Sequence, residues 1–265
     1  MGLCTIVNIE GSFSRRLGAQ LAVHDDGRVT GSLADGCLER QLASDIADGQ
    51  GRRVMRYGAG SPLIDFRLPC GGGLDILIDP DPDHAACAHA ARQLDARQAG
   101  ALPLPAQELL TERRYIPALR LILFGEGPEL AAMAQLGMQA GMAVECHSRE
   151  EGKLSLGQRP DHIATDPWSA IVLLFHDHEW EASILDWALR SNVFFIGAQG
   201  GAPARAERSS RLTAMGYDPR QIARIASPIG TVSHSREPMA LALSVLAGIS
   251  GEYELRHPHH QLMER

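Results

Sequence analysis

The feature that most constrains the fold is a buried strand that runs directly into a glycine turn and a helix. Leu119 to Phe124 is almost entirely apolar, and Gly125-Glu126-Gly127 follows it, with a helical pattern through about Gln139. A strand, a glycine turn and a helix in this order are typical of a dinucleotide-type βαβ unit with a parallel sheet. The sequence therefore predicts a Rossmann-like domain over residues 118–265.

Further apolar segments in this half supply the rest of such a sheet. They are Met142–Cys146, Ala170–Phe175 and Val193–Gly197. The second of these ends in His176-Asp177-His178. Because ligands bind at the carboxyl ends of parallel strands, His176 and His178 are candidates to hold a metal or transfer protons. In the alternative interpretation, Asp177 caps a helix and the histidines only form local hydrogen bonds.

The glycine turn departs from the dinucleotide fingerprint. Gly125 and Gly127 occupy its first two glycine positions, but Leu130 stands at the third, where a side chain would crowd the helix against the strand. At the end of the second strand, His147 and Arg149 stand where an NAD site has an acidic residue, although Arg149 can accommodate a 2′-phosphate. The sequence predicts Rossmann architecture and leaves an NAD(P)-dependent oxidoreductase as the alternative function.

Residues 1–100 predict a separate, mixed α/β domain. Leu38, Leu42 and Ile46 recur at a four-residue step, which indicates a helix, and Asp35 is a suitable N-cap for it. The other predicted elements are strands at Cys4–Ile9, Leu21–His24, Val29–Gly31, Arg53–Tyr57 and Leu74–Ile78 and a helix at His84–Arg97. Residues 101–117 contain several prolines and predict a linker. The chain is thus predicted to be α/β, with an N-terminal mixed α/β domain followed by a C-terminal Rossmann-like parallel-sheet domain.

Two cysteines lie beside glycines at predicted element boundaries. Cys37 falls in the first turn of its helix, where free N–H groups and the helix dipole favour a thiolate, although Asp35 and Glu39 oppose this effect. Cys70 precedes Gly71-Gly72-Gly73, a segment whose N–H groups can turn toward an anion. Free cysteines are often buried core residues, but the shared position beside glycine favours a functional role for both.

Arg15 and Arg16 lie in a polar loop after the first strand. Guanidinium groups form bidentate contacts with phosphates and carboxylates, so the pair can clamp an anionic ligand if the two cysteine loops converge on the same place. Otherwise the two arginines are solvated loop charges.

Charge and composition exclude several classes of partner. The net charge is −7 and basic residues do not cluster, so a nucleic-acid partner is not expected. No apolar run reaches the roughly 20 residues of a membrane span, and no signal peptide is evident. Five scattered cysteines are typical of reduced thiols, which predicts a cytoplasmic protein.

Taken in order, these motifs resemble the XdhC/CoxI family, which comprises accessory factors for molybdenum hydroxylases such as xanthine dehydrogenase. The resemblance covers nearly the whole chain. It is carried by Gly11 to Ala19, Gly31-Ser32 through Gly36-Cys37-Leu38-Glu39, Cys70-Gly71-Gly72, Gly125-Glu126-Gly127, His176-Asp177-His178, Ile196 to Gly200 and Pro228-Ile229-Gly230.

The resemblance implies a non-catalytic protein that binds molybdenum cofactor, protects it during sulfuration and helps to insert it into an apo-enzyme. The implied partners are a xanthine dehydrogenase-type molybdenum hydroxylase, a cysteine desulfurase and a second copy in a homodimer. The candidate cofactor-binding residues are Arg15, Arg16, Gly36, Cys37, Cys70, Gly71, Gly72, Gly125, Gly127, His176 and His178. A metal-binding redox protein built on His176 and His178 is a third alternative.

Overall fold

The computed structural model describes residues 1–34, 36–62, 71–105, 109–149, 154–177, 179–232 and 235–257. The chain forms two compact units, Met1–Ile116 and Pro117–His257. Among the described residues, no helix combines the length and the apolar character that crossing a bilayer requires. Both units are mixed α/β structures, and they differ in the direction of their strands.

The first unit is built on a five-stranded antiparallel sheet in the order β3-β2-β1-β5-β4. Its strands are β1 (Gly2–Glu10), β2 (Gln20–Val23), β3 (Val29–Thr30), β4 (Arg53–Gly58) and β5 (Gly73–Asp79). The two strands predicted around Asp25-Asp26-Gly27 form a hairpin, in which Val23 pairs with Val29. β1 pairs with both β2 and β5, so the first strand lies at the centre of the sheet.

The core of this unit lies between the sheet and helix α1 (Cys37–Ala47). Leu38 and Leu42 are 1% and 0% exposed, which confirms the predicted apolar face of the helix. Each fully buried leucine stabilises the fold by about 1.5–3 kcal/mol relative to an exposed one. Alternate residues of the strands, such as Ile6 and Ile76, complete this core.

One buried polar pair is part of the same region. The Tyr57 hydroxyl donates a 2.5 Å hydrogen bond to Asp45, and the Arg53 guanidinium donates to the Asp45 carbonyl oxygen at 2.9 Å. Cys4 is buried nearby; burial, reinforced by Asp45, raises the pKa of its thiol to about 12. This cysteine is therefore a core residue.

The segment predicted as a linker contains regular structure. Strands β6 (Gly100–Pro103) and β7 (Glu112–Tyr115) pair antiparallel and follow helix α2 (His84–Asp95). Asp83 caps α2 by accepting a 2.9 Å hydrogen bond from the Ala86 amide. Both strands belong to the first unit, and the second unit begins at Pro117.

The second unit confirms the predicted Rossmann-like architecture. Its five strands all pair in parallel, in the order β12-β11-β10-β8-β9. They are β8 (Arg120–Gly125), β9 (Ala143–His147), β10 (Ser169–Leu174), β11 (Phe195–Ala198) and β12 (Ile225–Ala226). The helices are α3 (Gly127–Gln139), α4 (Glu181–Arg190), α5 (Ala202–Ala214), α6 (Pro219–Ile222) and α7 (Pro238–Glu254).

Helix α3 approaches the sheet closely at Gly137, seven residues after the third fingerprint position. A Cβ atom on Gly137 would lie 2.7 Å from Leu121 Cδ1 and 3.0 Å from Val144 Cγ2. Leu130 is only half-buried at the fingerprint position. The chain order reverses between β8 and β10, so this strand pair forms the topological switch point where α/β proteins bind ligands.

Candidate functional site

The first candidate site surrounds Cys37, the first residue of α1. Its side chain is exposed. The cap of this helix is Gly36, which has a φ of 91°, and not Asp35 as the sequence predicts; Asp35 itself lies outside the described residues. A φ in this range favours glycine. The left-handed turn at Gly36 joins the preceding loop to the helix, so Cys37 lies where the loop ends and the helix begins.

Glu39 holds this loop in shape from inside the helix. One oxygen of its carboxylate accepts hydrogen bonds from the amides of Leu33 at 2.8 Å and Ala34 at 2.7 Å, and the other accepts from the Gly36 amide at 2.7 Å. The Ser32 hydroxyl adds a fourth contact at 3.2 Å. Burial opposes ionisation of Glu39, but the amide hydrogen bonds prevail and lower the pKa of its carboxyl.

Two arginines lie against the loop and the thiol. Arg40 donates to the Cys37 Sγ atom at 3.2 Å. Arg15 donates to the Ser32 carbonyl oxygen at 3.0 Å and approaches the Ser32 hydroxyl at 3.4 Å. Both guanidinium groups are exposed, and the positive charge of Arg40 lies against a thiol at a helix N-terminus. Such an arrangement favours binding of anions and of soft metals by the sulfur.

A groove of about 340 Å³ lies beside this loop. Arg40, Ser32 and Glu39 contribute to its walls, together with glycines of the loop and of the β2–β3 hairpin. Gly31 is required there, because a Cβ atom would lie 2.8 Å from the Gln20 carbonyl oxygen. The volume falls within the range of about 300–1,000 Å³ that is usual for small-molecule sites.

The second predicted thiol, Cys70, lies outside the described residues, so its convergence with Cys37 stays a prediction. The glycines after it are described. Gly71 has a φ of 70°, and the Gly72 carbonyl oxygen accepts from the Ala59 amide at 2.9 Å. A Cβ atom on Gly11 would lie 3.5 Å from Gly72 Cα, so the loops that follow β1 and precede β5 are close together.

Arg16 lies in a different environment from Arg15. Burial lowers the pKa of the Arg113 guanidinium; Tyr115 opposes this shift and the charge of Arg16 adds to it. Arg16 is therefore close enough to Arg113 for their charges to interact, whereas Arg15 contacts Ser32 in the Cys37 loop.

The second candidate site lies at the switch point of the parallel sheet. Arg149 forms a bidentate ion pair with Glu126, the residue between the two fingerprint glycines, and approaches Asp177 at 3.4 Å. The hydrogen bond from Arg149 lowers the pKa of the Glu126 carboxyl. The Arg149 guanidinium also lies 5.6 Å from the centre of the Trp180 ring. The side chains at this edge are thus largely paired with one another.

The predicted histidine pair is only partly described. His176 is exposed and its Nε2 atom lies 3.5 Å from Glu129, whereas His178 lies outside the described residues. Asp177 accepts a hydrogen bond from the Glu179 amide at 3.1 Å and does not cap a helix, because α4 begins at Glu181 with Trp180 as its N-cap. Over the described ranges, no group of three or more metal-binding side chains comes together.

This crevice does not fit a nicotinamide dinucleotide. Arg149, the candidate for a 2′-phosphate, is engaged by Glu126 and Asp177. β9 ends in His147, which is buried and lies 3.0 Å from Glu145. Because this residue is a histidine and not an acidic residue, the position offers no carboxylate to a ribose hydroxyl. The acidic side chains of Glu126 and Asp177 would also oppose a diphosphate beside Gly125 and Gly127.

Comparison with known proteins places the chain in a family. Residues 121–249 match the family model of the XdhC Rossmann domain, and residues 1–58 match that of the XdhC and CoxI family. The chain is 31% identical to a protein of Escherichia coli (strain K12) named molybdenum cofactor insertion chaperone PaoD, over 94% of this chain and 82% of that protein. The chain belongs to the XdhC/CoxI family.

Two more similarities of this XdhC/CoxI protein extend over most of its length. A Bacillus subtilis (strain 168) protein, named as a probable xanthine dehydrogenase component, is 24% identical, over 93% of this chain and 91% of its own. A crystal structure described as a xanthine dehydrogenase from Bacillus halodurans superposes with a TM-score of 0.75 at 20% identity. The match covers 98% of this chain and 93% of the other, which establishes the shared fold.

Sequence reasoning missed the roles of two residues at the Cys37 site in this XdhC/CoxI chain. From the sequence, Glu39 is only a charge that opposes a thiolate, and Arg40 has no role. The signal for Glu39 is present, because an acidic residue three positions after a cap is typical of a capping box. Arg40 lies three residues after Cys37 on the helix, which is the spacing at which side chains touch.

Proposed function

We propose that this protein binds molybdenum cofactor as cargo and assists its insertion into a molybdenum hydroxylase of the xanthine dehydrogenase type. The observation that carries the proposal is the exposed Cys37 thiol, held beside a glycine-lined groove by the loop that Glu39 organises. The 31% identity to a protein named as an insertion chaperone for this cofactor supports the same cargo. In this role the protein carries out no catalytic step of its own.

The chemistry of the cargo matches the groups at the site. Molybdenum cofactor is an anionic pterin phosphate with a soft metal–dithiolene centre. The Cys37 sulfur suits the soft metal, and the guanidinium groups of Arg40 and Arg15 suit the anionic groups of the cofactor. The walls of the groove offer glycine backbone and the Ser32 hydroxyl, which can hydrogen-bond a flat heterocycle without blocking its approach.

We assign further roles to the remaining predicted residues. Cys70, Gly71, Gly72 and Arg16 form the second wall of the cargo site, and a cysteine desulfurase supplies sulfur to the bound cofactor. In the second unit, Gly125, Gly127, His176 and His178 are proposed as cofactor-binding residues of that unit's own crevice. The protein acts as a homodimer in the cytoplasm. Gly71 supports the first assignment, because a Cβ atom there would meet nothing within 4 Å, so the backbone of the glycine loop before β5 is open to a ligand.

A binding and transfer experiment tests the cargo. The purified protein is mixed with molybdenum cofactor, and retained molybdenum is measured after gel filtration by mass spectrometry. The complex is then added to an apo-hydroxylase and the recovered activity is measured. We expect near-stoichiometric retention and transfer; a wild-type protein that retains no cofactor would contradict the proposed function.

Matched cysteine variants test the role of the thiol. Cys37→Ala is expected to lower retention at least about tenfold, because a single metal–thiolate contact is lost while an exposed side chain leaves the fold intact. Cys87→Ala, on helix α2, serves as the control and should bind like the wild type. Equal retention by both variants would show that the Cys37 sulfur does not hold the cargo, even if the protein binds it.

A further inference from the structure

The last helix of the second unit has an apolar surface on both sides. α7 runs from Pro238 to Glu254, and Pro238–Gly251 contains no charged residue. One side packs inside the unit, where Ala242, Val245 and Ile249 are buried. A helix that is apolar all round is normally covered on all sides. The outward side of α7, by contrast, is exposed apolar surface.

The outward residues form one continuous row along the helix. They recur every four residues: Met239, Leu243, Ala247, Gly251 and Leu255. Met239 is 42% exposed, Leu243 is 58% exposed and Leu255 is 78% exposed, and the two small residues between them are also exposed. A Cβ atom on Gly251 would meet nothing within 4 Å, so the row has an open gap at that position. We name these five residues the α7 row.

The α7 row is complementary to itself. Leu243 lies four residues before Ala247 and Gly251 lies four residues after it; Met239 and Leu255 lie eight residues before and after. Two antiparallel copies that cross at Ala247 would therefore place each Leu243 into the gap at Gly251 of the other copy. Helices that pack through such four-residue rows cross at about −50°, and small residues at the crossing allow close approach.

The charges at the ends of the row agree with the same arrangement. Glu237 precedes the helix and Arg256 follows it, and both side chains are exposed. They lie ten and nine residues from Ala247, on opposite sides of it. In an antiparallel pair, Glu237 of each copy would lie near Arg256 of the other, and the two helix dipoles would oppose each other favourably.

We propose that the α7 row is the centre of a symmetric interface with a second copy of this chain. This inference rests on the homodimer of the proposed function and assigns its surface, which is isologous as twofold symmetry requires. A stable dimer needs about 800 Å² of buried surface on each partner, with an apolar centre and a polar rim. The row supplies the centre, and Glu237 and Arg256 belong to the rim.

A charge in the centre of the row tests the surface. The oligomeric state of the full chain is measured by sedimentation velocity over a concentration series. We expect a dimer for the wild type and a dissociation constant at least about 30-fold higher for Leu243→Glu, because a desolvated centre carries most of the binding energy. Met215→Glu, at the end of α5 and 46% exposed, is the control and should remain dimeric.

A disulfide test reports the predicted twofold axis directly. In a Cys37→Ser background, Ala247→Cys should form a disulfide-linked dimer under mild oxidation, whereas Ala240→Cys, exposed on the same helix, should do so much less. A monomeric wild type would overturn both the dimer and its surface. A dimer that survives Leu243→Glu, or that fails to cross-link at Ala247→Cys, would overturn the surface alone and leave the cofactor-binding proposal untouched.

Discussion

Replacement of Glu39 by glutamine tests whether one buried carboxylate shapes the thiol loop. The side chain accepts three amide hydrogen bonds of 2.7–2.8 Å and is 6% exposed. Glutamine has the same size but only one acceptor oxygen, so at least one amide must face its NH₂ group. Since hydrogen bonds to a charged group contribute about 1.5–3 kcal/mol each, we expect the loop to lose about 3 kcal/mol.

Hydrogen exchange measures this loss at the loop itself. The amides of Leu33, Ala34 and Gly36 should exchange about 100-fold faster in Glu39→Gln at pH 7, because each 1.4 kcal/mol corresponds to a factor of ten. The pKa of Glu39 lies below its ordinary value of 4.5, so its stabilising effect is complete above that pH. The difference between the two proteins should therefore shrink as the pH falls through the lowered pKa.

Glu112→Gln is the matched control within the same unit. Glu112 forms a surface ion pair with Arg114 and its side chain is 38% exposed, so its replacement should change stability by less than about 1 kcal/mol. Unchanged exchange at Leu33 and Ala34 in Glu39→Gln would refute the argument that this carboxylate sets the loop.

Three further predictions concern buried polar groups. Arg208→Ala should lower the free energy of unfolding, measured in urea, by about 3–5 kcal/mol, because it removes the bidentate partner of Glu181, which is 2% exposed. A loss below about 1 kcal/mol would contradict this expectation. Tyr57→Phe should cost about 1–3 kcal/mol by removing the donor to Asp45, and an unchanged thermal midpoint would show the bond to be dispensable. Cys4 should resist iodoacetamide at pH 8 until the protein unfolds, since burial raises the pKa of its thiol to about 12. Peptide mass spectrometry reads the modification, and modification of the native protein would contradict the buried position.

Periodicity and glycine turns predict the architecture because those signals are local. The apolar step of Leu38 and Leu42 fixes the buried face of α1, and the apolar strand before Gly125 is a buried strand of a parallel sheet. The extent of β5, Gly73–Asp79, is predicted to within one residue at each end for the same reason. Such patterns depend on residues that are neighbours in the chain.

The details of both sites depend on pairs that are distant in the sequence. The pairing of Arg149 with Glu126 spans 23 residues, and no local pattern distinguishes that partner from a ligand phosphate. The contact of Arg15 with Ser32 requires the β2–β3 hairpin to fold back beside the loop. The predicted cap of α1 is wrong, because the prediction relied on the capping side chain of Asp35. In the structure the cap is Gly36 in a left-handed turn, and its amide donates to the Glu39 side chain.

Glu39 shapes the loop, whereas Cys37 presents an exposed sulfur, and this difference has a consequence for variants of this chain in cells. The shape of the loop comes from a buried carboxylate and from glycine, while the hydrogen bond seen at the exposed sulfur comes from the Arg40 side chain of the same helix. A chain that loses the sulfur should therefore keep its fold and escape proteolysis. We expect such an allele to accumulate to normal abundance yet deliver no cargo, so that immunoblotting and functional complementation would give opposite answers.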